Sequence, residues 1–311
     1  MTTDSNVLDC VVIGGGPAGL TAALYLARYR RSVRVFDAGK SRALMIPVAR
    51  NIPGFPAGIS GSSWVSNLRE QAAQFGVRPQ IATVKGVMRC PNGFSIEYSS
   101  HGEREKDSVV VVAKRVLIAC GVRDSLPEVA NAAELIRAGV LRLCPICDGY
   151  ETDGKRIGIL GPARCALSHA LFMRAFTRTV SVLAKDLDAL SEAEVRVARS
   201  NAISFVRVAS ATLSCSGDNE VTVSDVAGTV QTFDSVYAVM GCSPSTGALH
   251  GLDIATDDDG MIVTDKHQRT GVEHIYAAGD VVNTLNQISV ASGEGAIAAT
   301  AIHRSLDHNP R

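Results

Sequence analysis

The sequence lacks a charge excess, a long apolar run and, except at one position, tryptophan. Its 31 Lys and Arg residues balance 31 Asp and Glu residues, so the formal net charge at pH 7 is zero. This balance argues against nucleic acid or an anionic membrane as the main partner. The first residues carry no basic segment of a signal peptide, and no stretch approaches the roughly 18 apolar residues of a membrane span. We therefore expect a cytoplasmic protein that neither binds nucleic acid nor enters a membrane.

Cysteine is present but does not form the pattern of a disulfide-rich protein. Eight cysteines are spread over 311 residues, of which 46% are hydrophobic and 20% charged. This composition is typical of a globular protein with a substantial core, and the length allows two domains. Six of the cysteines are isolated in the sequence and fit small buried side chains. Only Cys144 and Cys147 form a close pair, so we expect the chemistry there.

A glycine-rich turn near the start of the sequence lies between a predicted strand and a predicted helix. The apolar run from Val7 to Ile13 predicts a buried strand, and Gly14-Gly15-Gly16-Pro17-Ala18-Gly19 follows it directly. A helix is predicted from Leu20 to Ala27, and a second strand from Ser32 to Phe36 ends at Asp37. Such glycines permit a tight turn, close approach of a pyrophosphate and close packing of the helix on the strand. The acid at the end of the second strand can accept hydrogen bonds from ribose hydroxyls. The pattern predicts a dinucleotide site for FAD or NAD.

A second glycine pattern lies near the opposite end of the sequence. The segment from His274 to Ala278 predicts a strand that closes on Gly279-Asp280, and after Gln287 a small-residue helix is predicted from Ala291 to Ala301. This pattern resembles the second FAD fingerprint of the pyridine nucleotide–disulfide reductase superfamily, in which the aspartate holds the ribityl chain. With one fingerprint at each end, we expect a split FAD-binding domain of residues 1–118 plus 245–311 and an inserted domain of residues 119–244.

The segment Cys144-Pro145-Ile146-Cys147-Asp148 is predicted to carry the redox chemistry. Two cysteines separated by two residues can close a disulfide at the start of a helix, and proline suits the first helical position. The helix dipole favours the thiolate of a cysteine there, which makes it a nucleophile near neutral pH. Asp148 adjoins Cys147 and can exchange a proton with the sulfur that attacks or leaves.

Two other interpretations of the cysteine pair stay open. A structural zinc site would need two further ligands, which Cys165 and His169 could supply by their spacing. That site would account for neither glycine pattern. The pair could also be two inert buried cysteines.

Matching segments along the sequence resemble one family. In chain order they are Gly14–Gly19, Asn51–Pro56, Arg69–Ala72, Leu117–Gly121, Cys144–Gly149, Gly241–Pro244 and Ala278–Asp280. Taken together, they resemble the low-molecular-weight thioredoxin reductases over nearly the whole length. The resemblance implies an α/β fold of two Rossmann-like, three-layer dinucleotide-binding domains, the second inserted into the first and carrying the cysteine pair. It also implies a homodimer. The implied FAD contacts are Gly14, Gly16, Pro17, Ala18, Gly19, Asp37, Asn51, Cys120, Gly121, Gly279, Asp280, Gln287 and Ile288.

The inserted domain departs from the family where a nicotinamide should bind. A strand is predicted from Lys155 to Leu160, but the turn after it reads Gly161-Pro162-Ala163 instead of a glycine-rich loop. Pro162 has no N–H to donate, and Ala163 places a methyl where close backbone approach is needed. Beyond the next strand, residues 184–188 hold one base and two acids where the family has a basic cluster for a 2′-phosphate. We expect a retained fold with an eroded nicotinamide site, which makes NAD(P)H a doubtful cofactor.

The predicted activity is electron transfer between FAD and the cysteine pair, and the resemblance implies that Cys147 faces the flavin while Cys144 exchanges with substrate. Three versions stay open. The chain could reduce a thioredoxin-like disulfide with electrons from a nicotinamide, reduce it with electrons from ferredoxin, or oxidise a small or protein dithiol and pass electrons to oxygen. Dithiol oxidases of the superfamily share Gly149-Tyr150-Glu151, whereas Asp148 is the reductase residue in place of their histidine. A flavin-binding redox sensor without turnover is the alternative from another class.

Overall fold

A computed structural model of the chain describes residues 7–100, 108–129, 132–208, 213–216 and 220–309. The chain divides into two compact units, each assembled from separate stretches of sequence. The first unit takes its described residues from Met1–Leu44, Gly61–Arg123 and Ser243–Arg311, and the second from Met45–Ser60 and Asp124–Cys242. Residues 45–60, which the sequence prediction assigns to the FAD domain, thus group with the second unit. Within that unit, Arg50 Nε lies 3.5 Å from Glu151 Oε1.

Strands and helices alternate along much of the chain. The strands are β1 (Leu8–Ile13), β2 (Val33–Asp37), β3 (Gln80–Cys90), β4 (Gly93–Ser100), β5 (Val109–Ile118), β6 (Val122–Asp124), β7 (Leu141–Arg142), β8 (Arg156–Leu160), β9 (Thr179–Ala184), β10 (Ile203–Arg207), β11 (Leu213–Ser216), β12 (Glu220–Ser224), β13 (Val230–Phe233), β14 (Ser235–Ala238), β15 (Cys242–Pro244) and β16 (Ile275–Ala277). The helices are α1 (Pro17–Arg28), α2 (Gly61–Ala73), α3 (Ala132–Arg137), α4 (Pro145–Asp148), α5 (Ala163–Met173), α6 (Glu192–Ser200) and α7 (Ile288–Ser305).

The sheet of the first unit has a parallel core. Strands β2, β1, β5 and β16 lie side by side and parallel, and β3 and β4 extend the sheet through an antiparallel meander with β5. Because both faces of the parallel strands are covered, their residues form near-continuous apolar runs, and residues 10–12 of β1 are fully buried. On one face, α1 and α7 contribute Leu26 and Ile302 to a common core cluster with Leu117 of β5.

A glycine lets α1 and α7 approach each other closely. An added Cβ on Gly295 of α7 would lie 2.3 Å from the carbonyl oxygen of Ala18 on α1. A Cβ on Gly293, two residues earlier on α7, would meet no described atom within 4 Å. The contact at Gly295 fixes the first turn of α1, which follows the glycine-rich segment directly.

The second unit contains a five-stranded parallel sheet in the order β10-β9-β8-β14-β7. Helix α5 packs on one face, where Ala166, Ala170 and Met173 join a core cluster with Ile157 and Ile159 of β8. Helix α3 and strands β12 and β13 contribute to a separate cluster with other sheet residues. The two parallel sheets with flanking helices confirm the predicted α/β class. None of the helices in the described ranges has the length and hydropathy that a membrane crossing needs.

Candidate redox and dinucleotide sites

The glycine-rich turn after β1 allows close backbone approach at two points. Gly14 has φ +115°, and a Cβ there would lie 2.1 Å from the carbonyl oxygen of Ala119. A Cβ on Gly19 would lie 2.0 Å from the carbonyl oxygen of Gly14. Gly16 is the N-cap residue of α1 and Pro17 its first residue, and no side-chain cap is formed at this end within the described ranges. The first-turn amides of α1 are therefore available to an anion.

Asp37 ends β2 beside this turn and is almost fully buried. One carboxylate oxygen accepts from the N–H of Gly39 at 2.8 Å, and the other lies 2.6 Å from Nη2 of Arg69. The Nε of the same guanidinium is the one buried side-chain nitrogen or oxygen without a hydrogen-bond partner in the described part of the chain. Leaving a buried donor unsatisfied is costly. This N–H therefore fits an acceptor supplied by a ligand at the turn.

The second glycine pattern meets the first at the start of α1. Gly279 has φ +82°, and an added Cβ would lie 2.8 Å from the Cβ of Ala18. The Gly279 N–H donates to Oε2 of the buried Glu294 at 2.8 Å, and Asp280 Oδ2 lies 3.2 Å from Nη1 of Arg42. Burial raises the pKa of Glu294, and the hydrogen bond from Gly279 opposes that rise. The fold thus brings together two patterns that stand at opposite ends of the sequence.

The other predicted FAD contacts are divided between the two units. Cys120 and Gly121 follow β5, and burial raises the pKa of the Cys120 thiol to about 12, which keeps it protonated at neutral pH. Gln287 is the N-cap residue of α7, and Ile288, its first residue, packs against an apolar cluster formed with α1 and α2. Asn51 belongs to the second unit instead. The contacts of all these residues with FAD stay predictions.

The first unit fits an FAD by the chemistry of its donors and acceptors. The glycine turn admits a pyrophosphate, and the open amides of α1 favour its negative charge. The unpartnered Nε of Arg69 offers a further donor. The carboxylates of Asp37 and Asp280 can accept hydrogen bonds from ribose and ribityl hydroxyls.

The predicted redox pair is closed as a disulfide in the second unit. The Cys144 and Cys147 sulfurs are 2.02 Å apart, and their Cα atoms are 5.3 Å apart. Cys144 is the N-cap residue of α4, Pro145 is the first helical residue, and the Cys147 N–H donates to the Cys144 carbonyl at 3.0 Å. The disulfide therefore lies at a helix start, as the sequence predicts, although α4 is only four residues long.

Two side chains that the sequence analysis missed hold the carboxylate of Asp148. Arg142 Nη1 lies 2.7 Å from Oδ2, and the Tyr237 hydroxyl donates to Oδ1 at 2.7 Å. Burial raises the pKa of Asp148, while Arg142 and Tyr237 oppose that rise. Burial and the neighbouring carboxylate also raise the pKa of the Tyr237 hydroxyl, so this group stays a donor. The sequence signal that could have identified Arg142 is its position as a single basic residue inside the apolar stretch before Cys144.

The alternative zinc ligands, Cys165 and His169, contact each other. Cys165 Sγ lies 3.7 Å from Nδ1 of His169, and the same nitrogen lies 2.9 Å from the Cys165 carbonyl oxygen. Both sulfurs of the predicted zinc pair are bonded to each other in the Cys144–Cys147 disulfide. The arrangement therefore favours redox chemistry at the pair.

The corresponding turn of the second unit is closed by a carboxylate. A Cβ on Gly161 would lie 2.6 Å from the carbonyl oxygen of Val239, so packing alone requires this glycine. Pro162 is the N-cap residue of α5, and the first helical amide, that of Ala163, donates to Oδ1 of Asp186 at 3.0 Å. A carboxylate of the protein itself thus accepts from one of the amides at the helix start that a pyrophosphate would contact.

A basic residue of the strand next to β9 is also paired with a carboxylate. Nη2 of Arg207, on β10, lies 2.6 Å from Oδ1 of Asp188. Nη1 of the same side chain donates to the carbonyl oxygen of Lys185 at 3.1 Å. A 2′-phosphate here would meet an arginine already neutralised by a carboxylate. The sequence prediction that NAD(P)H is a doubtful cofactor stays a prediction.

Comparisons with known proteins add an independent line of evidence. A family model described as pyridine nucleotide-disulphide oxidoreductase matches residues 8–295. The thioredoxin reductase of Borreliella burgdorferi is 28% identical over 315 residues, which cover 96% of this chain and 92% of that protein. The structure of a thioredoxin reductase from Streptococcus pyogenes has a TM-score of 0.82 at 27% identity and covers 96% of this chain and 97% of that chain. A structure of HlmI has a TM-score of 0.85 at 27% identity and covers 97% of this chain and 93% of that one. The match to the Streptococcus structure confirms the fold of two nested dinucleotide-binding domains.

Proposed function

The chain belongs to the pyridine nucleotide-disulphide oxidoreductase family, and from that premise we propose that it exchanges electrons between FAD and a dithiol or disulfide substrate through Cys144 and Cys147. At the coarser level it is a thioredoxin reductase-like flavin disulfide oxidoreductase. The observation that carries the finer proposal is the Cys144–Cys147 disulfide at the start of α4. The named relatives support a thioredoxin-like protein as substrate, and a small dithiol would use the same chemistry.

FAD would be held by residues of the first unit, with Asn51 of the second unit as the one exception among the proposed contacts. The amides at the start of α1, the carboxylates of Asp37 and Asp280 and the guanidinium of Arg69 are the groups proposed to bind it. When bound, FAD supplies two-electron redox chemistry. Cys120, Gly121, Gln287, Ile288 and Asn51 are proposed as further contacts of the cofactor.

The cysteine pair performs thiol–disulfide exchange in the proposed reaction. A substrate thiolate attacks the sulfur of Cys144, the bond to Cys147 breaks, and Cys147 leaves as a thiolate that takes up a proton. A second substrate thiolate then attacks the mixed disulfide and releases the Cys144 thiolate. The substrate dithiol is oxidised to a disulfide and the pair gains two electrons, and the reverse sequence reduces a disulfide substrate. Asp148 follows Cys147 directly and is proposed to exchange the proton.

We propose that the second unit has lost its nicotinamide site. The support comes from Asp186, whose carboxylate accepts from the first amide of α5, and from Arg207, which is paired with Asp188. A nicotinamide phosphate would have to displace one carboxylate and compete with another. The electrons would then come from, or go to, a different partner.

A dithiol oxidase that passes electrons to oxygen is the second candidate function. The closed turn at α5 favours it over a nicotinamide-linked reductase. The Gly149-Tyr150-Glu151 sequence after the cysteine pair is shared with such oxidases, whereas Asp148 is the reductase residue. A ferredoxin-fed reductase and a homodimer in a cytoplasmic location stay predictions.

An anaerobic titration of the purified protein tests the proposal. The absorbance of oxidised flavin is followed while NADPH, NADH or a small dithiol is added to separate samples. We expect the dithiol alone to bleach the flavin rapidly. Cys144→Ser and Cys147→Ser should retain the flavin but lose this bleaching, whereas Cys165→Ser, which removes a cysteine of the same unit outside the pair, should keep it.

Each result of the titration distinguishes between interpretations. Bleaching by the dithiol that survives both serine variants would overturn the role of the pair. Rapid bleaching by NADPH at low concentration would overturn the loss of the nicotinamide site. Admission of oxygen after dithiol bleaching then separates an oxidase, which turns over repeatedly, from a redox sensor, which does not.

A further inference from the structure

A cluster of three polar side chains lies within the second unit beside the redox disulfide. It consists of Arg142, Asp148 and Tyr237, with both carboxylate oxygens of Asp148 engaged at 2.7 Å. We propose that Arg142 and Tyr237 are positioning residues that hold the Asp148 carboxylate for proton exchange with the redox cysteines. This inference rests on the proposed function of the cysteine pair and adds two residues to its machinery.

The sheet topology places the two donors side by side. Strands β7 and β14 are parallel neighbours, and their register pairs Arg142 directly with Tyr237. Paired residues of adjacent strands project to the same face of a sheet. The guanidinium carbon of Arg142 lies 6.0 Å from the centroid of the Tyr237 ring, at the outer limit of a cation–π contact. Two adjacent strands thus present one charged and one neutral donor to the same carboxylate.

Further hydrogen bonds restrict the movement of Arg142. Its Nε donates to the Gly139 carbonyl at 3.0 Å and lies 3.3 Å from the Ser235 hydroxyl oxygen. Its Nη1 donates to the Asp148 carboxylate. Tyr237 has no exposed surface and is held by the core of the unit. The donors are therefore held in place by the sheet, whereas Asp148 lies on the short helix that carries the disulfide.

Asp148 is close in the chain to both redox cysteines. It follows Cys147 directly and ends the four-residue helix α4, whose N-cap residue is Cys144. When the bond to Cys147 breaks, the leaving thiolate takes the proton of a protonated Asp148, and the carboxylate so formed is stabilised by its two donors. In the reverse direction the carboxylate takes the proton from the attacking thiol. No electron acceptor beyond the disulfide is needed for this step.

The charged and titratable groups that act on Asp148 have opposing effects. Arg142 and Tyr237 favour the carboxylate, while burial and the nearby Glu151 favour the protonated form. Glu151 is itself paired with Arg50 at 3.5 Å. Removal of either donor should therefore raise the pH at which Asp148 gives up its proton.

The test follows the reduction of the Cys144–Cys147 disulfide by excess dithiothreitol over a series of buffers from acid to alkaline. Aliquots of the holoenzyme are quenched with an alkylating reagent and the labelled cysteines are counted by mass spectrometry, so the readout does not depend on flavin turnover. Asp148→Asn identifies the part of the pH profile that belongs to Asp148, because it should abolish that part. In Tyr237→Phe we expect the midpoint of that part to move up by about one pH unit, as loss of a hydrogen bond to a charged group predicts.

Matched variants separate positioning from a general structural effect. Tyr98→Phe removes a hydroxyl from a buried tyrosine of the first unit and should leave the profile unchanged. Arg142→Met should move the midpoint in the same direction as Tyr237→Phe. The double variant Asp148→Asn, Tyr237→Phe should match Asp148→Asn alone, because Tyr237 acts through Asp148.

The outcomes distinguish this inference from the proposed function. Three results would each overturn the positioning role. The first is a midpoint that does not move in Tyr237→Phe, and the second is a shift that persists in the Asp148→Asn background. The third is an Asp148→Asn profile equal to that of the unmodified chain. A disulfide that dithiothreitol does not reduce in the unmodified chain would instead overturn the proposed function itself.

Discussion

Two glycines of α7 allow the same substitution to be compared in opposite surroundings. In Gly295→Ala the added methyl would lie 2.3 Å from the carbonyl oxygen of Ala18, whereas in Gly293→Ala it would meet no described atom within 4 Å. Both variants gain about 1 kcal/mol of helix propensity, so this gain cancels when they are compared with each other. The clash costs about 1–3 kcal/mol by overpacking. We therefore expect the free energy of unfolding of Gly295→Ala to lie about 1–3 kcal/mol below that of Gly293→Ala.

Urea titrations monitored by circular dichroism measure this difference in the free energy of unfolding. The fluorescence of released flavin is recorded in the same titrations. Because Ala18 belongs to the first turn of α1, a shift of α7 away from it should also weaken flavin retention in Gly295→Ala. The stability of Gly293→Ala should equal or exceed that of the unmodified chain by up to about 1 kcal/mol. Equal stability of the two variants would refute the close packing of α7 on the start of α1.

Two further predictions concern buried or capping carboxyl groups. Asp186→Ala should cost about 1 kcal/mol of unfolding free energy in urea titrations, because the Ala163 N–H loses its acceptor; NADPH should still fail to bleach the flavin, because Pro162 offers no amide. Glu294→Gln should change the pH dependence of stability. Burial raises the pKa of Glu294 in the folded chain, so the folded state binds this proton more tightly, and stability falls as the pH rises between the unfolded and folded pKa values. Unfolding free energies measured over that interval should lose this fall in the glutamine variant.

The elements around the glycine patterns could be predicted because their signals are local. The first strand is predicted over Val7–Ile13 and observed over Leu8–Ile13, and the following helix starts earlier than predicted, at Pro17. A proline at the first helical position and a glycine at the N-cap position explain that earlier start. The disulfide at the start of α4 follows from the same kind of signal, since Pro145 stands between the two cysteines.

Partners from distant strands could not be predicted in the same way. Tyr237 and Asp148 are 89 residues apart, and they meet only because β14 pairs in parallel with β7. Glu294 is the one charged residue in its helix before the last turn, which signals a special role but does not identify the Gly279 amide as its partner. Sequence polarity therefore indicates that a side chain needs a partner, while the topology determines which partner it has.

The two strand–turn–helix segments at α1 and α5 share a topology and differ in electrostatics. A helix start stabilises a negative charge by about 0.3–1 kcal/mol. At α1 that stabilisation is available to a ligand, whereas at α5 Asp186 already uses it within the second unit. A pyrophosphate at α5 would lose the interaction with the helix and would also meet the repulsion of the displaced carboxylate. A Cβ on Gly161 would clash with the Val239 carbonyl, so packing requires this glycine whether or not a nucleotide binds. On the proposal that the nicotinamide site is lost, the second unit serves chiefly to hold the disulfide and Asp148, and the electron partner should be sought outside the nicotinamides.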